Sequence, residues 1–448
     1  MEFESILSYG AVGDGKTDNT AAFKSALSGG RSIKVPSGTF LTGPIDIKSG
    51  TRLDLDKDAV ILFIPDQSIY EPVYTRWEGV NCYAMHPCVF INEAEDVSIT
   101  GEGTFDGNGK YWWDLAAYKK HGQAEPETEI EKKFASLNPD YKTQPGGGGG
   151  RQCQFLRPPL FQTLNSNNID IKGIRLQNSP FWTLHPVYTD HLTIESVRIK
   201  NPYDSPNTDG IDIDSCTNVT ISKCIVEVGD DGIALKSGSG DDGIKTGRIT
   251  ENVHVSSCKV YKAHGGIVVG SETAAGIRNI VAEDCEFIGT DRGIRIKTRR
   301  GRGGKIENLT FRSLKITDNL CPIAINMYYR CGADDPTCFS LSKLDVVDST
   351  PSVRNLTIED CHATGSRASN GFIVGLPEMP VTGLVIKDCS FSLAENPSSP
   401  IEDSEMYEGL PETDNRAVRL RNVDAEIKNV SFTGTEDAFF IEEGCSIR

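Results

Sequence analysis

No stretch of this chain is apolar for the roughly 20 consecutive residues that a membrane-spanning helix needs, and hydrophobic residues (38%) are interspersed with charged ones (24%). No membrane partner is expected. Positive charge is also short: 46 Lys and Arg face 63 Asp and Glu, a net −17 that argues against general binding to nucleic acid or anionic surfaces. Histidine is scarce, and no CxxC or His-rich spacing suggests a zinc site. The opening residues, Met1-Glu2-Phe3-Glu4-Ser5-Ile6-Leu7-Ser8-Tyr9-Gly10, lack the basic and apolar regions of a secretory signal. A cytoplasmic location is expected, or a secreted or periplasmic one if a signal has been removed. No amphipathic helix separates the strand-like runs, which excludes βαβ units.

What is present is repetition. Gly210-Ile211-Asp212-Ile213, Gly232-Ile233-Ala234-Leu235, Gly266-Ile267-Val268-Val269 and Gly293-Ile294-Arg295-Ile296 recur at spacings of 232 − 210 = 22, 266 − 232 = 34 and 293 − 266 = 27. A second series begins at a turn-forming residue each time: Asn168-Ile169-Asp170-Ile171, His191-Leu192-Thr193-Ile194, Asn218-Val219-Thr220-Ile221, Asn252-Val253-His254-Val255, Asn279-Ile280-Val281-Ala282, Asn308-Leu309-Thr310-Phe311, Asn355-Leu356-Thr357-Ile358 and Gly383-Leu384-Val385-Ile386. Spacings in the twenties are too long for hairpins, so the pattern predicts an all-β solenoid, a parallel β-helix forming one domain over residues 1–448. Asp18 to Leu27 reads as an amphipathic helix capped by Asp or Asn, a lid over the first coil that protects its open edge.

Residues 111–152 break the repeat. This charged excursion ends in Pro145 and Gly146 to Gly150, and is expected to hold one short helix and a flexible tip. Of the thirteen cysteines, Cys224, Cys258, Cys285, Cys361 and Cys389 fall in one repeat column and read as buried packing residues of a reducing compartment. Cys82 with Cys88, and Cys331 with Cys338, could pair. Sequons at Asn218, Asn308, Asn355 and Asn429 coincide with repeat turns or strands and read as structural asparagines.

The chemistry lies just before the glycines. In the glycine register Asp209 and Asp231 occupy one column, while Asp230 and His264 share the next. Neighbouring coils stand about 4.8 Å apart, so three carboxylates crowd together and cannot all ionise easily. One proton donor beside acceptors equips a site for glycosidic hydrolysis. Clustered aspartates are equally good ligands for a hard cation such as calcium. Arg295 and Lys297 face one side of their strand and suit a uronic acid carboxylate, or else compensate the aspartates.

Four ordered motifs, Asn207-Thr208-Asp209-Gly210, Gly229-Asp230-Asp231-Gly232, His264-Gly265-Gly266 and Arg295-Ile296-Lys297, resemble the signatures of glycoside hydrolase family 28, the polygalacturonases. The resemblance covers most of the chain, including Tyr9-Gly10-Ala11-Val12-Gly13-Asp14-Gly15. It implies a right-handed parallel β-helix and inverting hydrolysis of α-1,4-linked galacturonic acid, with no metal and no other cofactor. It further implies Asp230 as general acid, Asp209 and Asp231 activating water, and His264 beside the acid. Arg295, Lys297, Asn207 and Tyr329 are implied on the substrate. Gly229 and the Ala263-His264-Gly265-Gly266 form depart from the endo-acting pattern and resemble the bacterial exo-acting branch. So do Thr75-Arg76-Trp77-Glu78-Gly79 and Asn178 to Pro186, in which Trp182 and His185, with Arg157, are candidates for a terminal pocket. A calcium-dependent eliminase and a non-catalytic glycan-binding solenoid stay open as rivals.

Overall fold

The computed structural model describes residues 3–122, 125–144, 149–333 and 335–448, leaving aside the side chains of 121, 122 and 403. The chain divides into two compact units, residues 1–230 and 231–448. Each is built from the same coil of three short parallel strands, and the fold is a right-handed parallel β-helix.

In the first unit the helix α1 (Thr20–Ala26) buries Phe23 and Ala26 and contacts the strand Ile45–Asp46, as a lid over the first coils. Its cap is split between two residues. Asp18 Oδ1 accepts from the Thr20 N–H at 2.9 Å, while the Asn19 side chain turns away to bond Val12 and Leu41. Later coils place the strands β1 (Phe161–Leu164), β2 (Leu184–Val187) and β3 (Ile211–Asp214) side by side in one sheet. The turn-led runs form another sheet, with Ile169, Leu192 and Val219 in one inward ladder and Ile171, Ile194 and Ile221 in the next. Each such buried aliphatic side chain contributes about 1.5–3 kcal/mol.

The excursion holds two helices where one was expected: α2 (Lys110–Gly122) and α3 (Glu129–Leu137). Thr128 Oγ1 accepts from the Glu131 N–H and the Glu131 carboxylate accepts from the Thr128 N–H, a capping box that fixes where α3 starts. Lys119 of α2 donates to the buried Glu131 carboxylate at 2.8 Å and ties the pair together. Of the expected glycine tip, Gly146 to Gly148 lie outside the described residues. Gly149 packs so closely on the Trp77–Glu78 turn that an added Cβ would stand 2.5 Å from Glu78 Oε1.

In the second unit the sheet of interest runs through β4 (Asp231–Lys236), β5 (Gly265–Gly270), β6 (Arg292–Lys297) and β7 (Cys321–Asn326). Ile233 pairs with Ile267, Ile267 with Ile294 and Ile294 with Ile323, the register that the glycines predict for this unit. Val253, Ile280, Leu309, Leu356 and Leu384 form the matching inward ladder of the turn-led sheet. The turn asparagines hold left-handed backbone, with φ near 57° at Asn279 and 59° at Asn308, which Asn tolerates better than most residues. Asn308 Nδ2 donates to Asn279 Oδ1 and Asn355 Nδ2 to Asn308 Oδ1, both at 3.2 Å, so Asn308 and Asn355 do structural work at their turns. All thirteen cysteines are free thiols. The Cys258 N–H points at Cys285 Sγ and the Cys361 N–H at Cys389 Sγ, as packing residues of one column.

Candidate active site

Strand β3 delivers Asp209 from its leading edge. The Thr183 N–H donates to the Asp209 carbonyl at 2.9 Å and the Leu184 N–H to the Gly210 carbonyl at 3.0 Å, so this backbone is held by the coil before it. Asp209 is buried and Asp230 half-buried, and their carboxylate oxygens lie within 4.8 Å of one another. Two carboxylates this close repel, which favours a shared proton. Asn207, two residues earlier, has a left-handed backbone (φ 54°), and its Oδ1 accepts from Arg157 Nη2 at 2.9 Å.

Arg157 is buried, with its guanidinium 4.8 Å from the Phe181 ring centre and Nη1 donating to the carbonyls of Pro180 and Pro206. Burial pulls its pKa down to about 10, and the negative charges of Glu78, Asp209 and Asp230 resist the change. It is therefore a fixed cation near the carboxylate pair. Trp77 stacks on Phe181 and Phe181 on Trp182, at centroid distances of 4.9 and 5.3 Å. Trp182 and His185 make an edge contact and are buried, 4% and 1% exposed. His185 meets Gln162 Nε2 at its Nδ1 (2.9 Å) and stands 3.6 Å from Asp214 through its Nε2. Both ring nitrogens thus face protein groups.

Beneath this layer Arg76, itself fully buried, donates to Asp214 Oδ1 at 2.8 Å and to Ser215 Oγ at 2.7 Å, over the Tyr188 ring. Burial alone would raise the Asp214 pKa, but Arg76 and His185 bring it down to about 2. The sequence reading missed Arg76 and Asp214 as partners because 138 residues separate them. One signal was available: an acid on an inward strand position demands a counter-ion.

In the second unit Asp231, peptide-bonded to Asp230, opens β4. Its Oδ1 accepts from Arg295 Nη1 at 2.9 Å and its Oδ2 from Lys297 Nζ at 2.5 Å. Burial pushes this carboxyl up, yet Lys297, Arg295 and Lys236 outweigh burial and hold it well below the usual carboxylate range. The strand register creates the grip, since Arg295 and Lys297 lie two apart on β6 and project to one side. Tyr329 lies within 5.6 Å of both cations, and burial pushes its hydroxyl pKa up. Lys236 also bonds Glu272, at 3.1 Å, and burial of Glu272 is outweighed by Lys236, Arg302 and Lys297, leaving its pKa at about 2. His264 keeps a 38% exposed side chain, with Nε2 3.9 Å from Asp291 and its carbonyl accepting from Arg292. Further along the chain, Arg300 is committed to Glu378 and Lys305 is exposed.

Among the described residues, Asp209 and Asp230, with Asp231 next in the chain, are the carboxylates able to take a hard cation. Arg295 and Lys297 compete with any such ion for Asp231. Among the described residues no helix is long and apolar enough to cross a membrane.

Residues 146–403 match the family model of glycosyl hydrolases family 28. The chain is 32% identical over 409 residues to a probable polygalacturonase of Vitis vinifera, covering 87% of this chain and 74% of that protein. It is 26% identical over 397 residues to an exopolygalacturonase of Zea mays, covering 86% and 82% respectively. Among solved structures it resembles a hyperthermoactive exopolygalacturonase from Thermotoga maritima, at 30% identity and a TM-score of 0.79, over 98% of this chain and 93% of the other. With the matched segment containing all four acid, histidine and cation motifs, this glycoside hydrolase belongs to family 28.

Proposed function

We propose that the chain is an exo-acting polygalacturonase that hydrolyses the α-1,4 bond of galacturonides from a chain end, with inversion. The observation that carries this reading is the asymmetry of the acids. Asp231 is pinned as an anion by Arg295 and Lys297, whereas the half-buried Asp230 stands within 4.8 Å of Asp209. Asp230 is therefore assigned the proton. It passes to the glycosidic oxygen as the C1–O bond breaks, and water gives a proton to Asp209 or Asp231 as its oxygen bonds C1. Asp209 and Asp230 approach more closely than the roughly 6.5–9.5 Å usual for an acid and base of inverting enzymes. Water is assigned to Asp209 and Asp231 because these are the acids left ionised once Asp230 holds the proton. His264 is assigned to the acid and the leaving side. Arg295, Lys297, Asn207 and Tyr329 are assigned to the sugar carboxylate and hydroxyls. Arg157, Trp182 and His185, being buried, are assigned to positioning beneath the pocket floor.

Exo action is supported by where the excursion ends. Arg151 Nη2 donates to the Trp77 carbonyl at 2.6 Å and Gly149 packs on Glu78, while Trp77 leads through Phe181 and Arg157 to Asn207. In this reading the insertion, anchored on the Trp77–Glu78 turn, closes one end of the substrate groove. Defined oligogalacturonides followed by chromatography test the proposal. Successive loss of one or two units from one terminus is expected, and a spread of intermediate sizes would contradict exo action. The first-formed sugar should carry the β configuration by proton NMR. An unsaturated, ultraviolet-absorbing product that vanishes with a chelator would replace hydrolysis by calcium-dependent elimination.

A further inference from the structure

Arg295 ends in a two-armed guanidinium, and its arms meet different partners. Nη1 donates to Asp231 Oδ1 at 2.9 Å, while Nη2 donates to the thioether of Met406 at 3.1 Å, across 111 residues of sequence. Met406 closes the short helix Ile401–Glu405 and takes left-handed backbone there, at φ 56° and ψ 40°. Glycine or asparagine usually ends a helix in this conformation, and a long side chain is disfavoured in it. An outlier kept at such a place points to what its side chain does.

The segment around Met406 is anchored to the strand end that leads to Tyr329. The Met406 N–H donates to the Glu402 carbonyl at 2.9 Å, and its carbonyl accepts from the Arg330 N–H at 3.0 Å. Tyr329 and Tyr407 form an antiparallel bridge. The buried Glu405 accepts from Ser369 and Ser404 through Oε1, and its carbonyl accepts from Asn326 Nδ2 at 2.8 Å, at the end of β7. Tyr407 stacks on Phe372 at 5.4 Å, with the Arg419 guanidinium 5.3 Å from its ring. Met406 itself stays partly exposed. A thioether is a weak, polarizable and uncharged acceptor. It occupies one arm of Arg295 without cancelling charge, as a second carboxylate would.

We propose that Met406 is a positioning residue for Arg295, holding the second arm of the guanidinium off Asp231 so that its charge serves a uronate carboxylate. Without the sulfur, Nη2 turns with Nη1 onto Asp231 in the bidentate pairing that Arg and carboxylate prefer, competing with Lys297 for Oδ2. A substrate carboxylate then has to break an ion pair before it binds. Arg295 grips that carboxylate before and during bond cleavage alike, so Met406 governs affinity and leaves the chemical step alone. The inference deepens the galacturonide reading and rests on it for the substrate, whereas the contact between sulfur and guanidinium does not.

Kinetics on trigalacturonate and methionine-methyl NMR of the full chain test it together. Met406→Leu keeps the volume and removes the acceptor, Met406→Gln restores an uncharged acceptor, and Met406→Glu supplies a charged one. KM should rise about three- to tenfold in the Leu variant, the worth of one hydrogen bond, with kcat unchanged. It should return to the parent value in the Gln variant and rise further in the Glu variant. A parent-like KM in the Leu variant, or a Gln variant no better than Leu, would reduce Met406 to packing and overturn the proposal. A Glu variant as good as Gln would overturn it equally. The chain has five methionines, so the Met406 ¹³C-methyl resonance is assigned by its absence from the Leu variant. Arg295→Lys, which keeps a charge but has no second arm, should shift that resonance with no sugar present, and an unmoved resonance would overturn the contact. If the parent leaves trigalacturonate intact, the galacturonide reading falls and the resonance alone decides on Met406.

Discussion

At the scale of single residues, the chemistry turns on which carboxyls are free to hold a proton. Lys297 sits 2.5 Å from Asp231, and an opposite charge at that range lowers a carboxyl pKa by about 1–3 units. Replacing Lys297 by Ala removes part of that hold, so the Asp231 pKa rises. The acidic limb of kcat/KM, which reports the free enzyme, should then move to higher pH by about 1–3 units. An unmoved limb with a higher KM alone would restrict Lys297 to substrate binding. Asp214 supplies a stability counterpart. Its folded pKa is depressed to about 2, so its contribution is complete above the unfolded value near 4 and is lost as pH falls toward 2. The contribution amounts to about 2–3 kcal/mol. Arg76→Met should cost about 3–5 kcal/mol at pH 6 by stranding a buried charge, with the deficit shrinking between pH 4 and 2 in urea titrations. A deficit independent of pH would mean that Arg76 stabilises only through packing.

At the scale of the coil, legibility followed sequence distance. Gly232, Gly266 and Gly293 and the alternating isoleucines announce the register of β4 to β6, because side-chain alternation and turn chemistry are local. The carboxylates before the glycines were legible for the same reason. The Arg76–Asp214 pairing was not, since 138 residues separate its partners, and His185–Asp214 and Lys236–Glu272, each one coil apart, lie outside the glycine-led motifs. The second helix of the excursion was available in Thr128-x-x-Glu131, and charge and proline nearby obscured it. The asparagine turns yield a prediction of their own. Asn308→Ala loses two amide contacts and leaves a Cβ in left-handed backbone, which should cost about 1–3 kcal/mol. Asn308→Gly should cost less, because glycine adopts that backbone freely. Equal losses in chemical denaturation would remove the conformational part of the argument.

At the scale of the whole molecule, a repeated coil gains stability from each neighbour it covers, and we propose that residues 1–448 act as one domain. Calorimetry should show a single cooperative transition, and two separated transitions would contradict that reading. The excursion is a departure from the repeat fixed by its own capping box and by the Lys119–Glu131 pair.

The measurement that bears most directly on the mechanism is a titration of carboxyl ¹³C resonances in protein labelled at aspartate, compared with Asp209→Asn, Asp230→Asn and Asp231→Asn variants. One active-site carboxyl should remain protonated well above the ordinary Asp pKa of about 3.9 and be absent from Asp230→Asn, while that of Asp231 stays ionised below it. Turnover by Asp230→Asn should fall by at least about 10²- to 10⁴-fold with the fold intact. Three carboxyls titrating together near the ordinary value, or near-normal turnover without the Asp230 acid, would contradict the account.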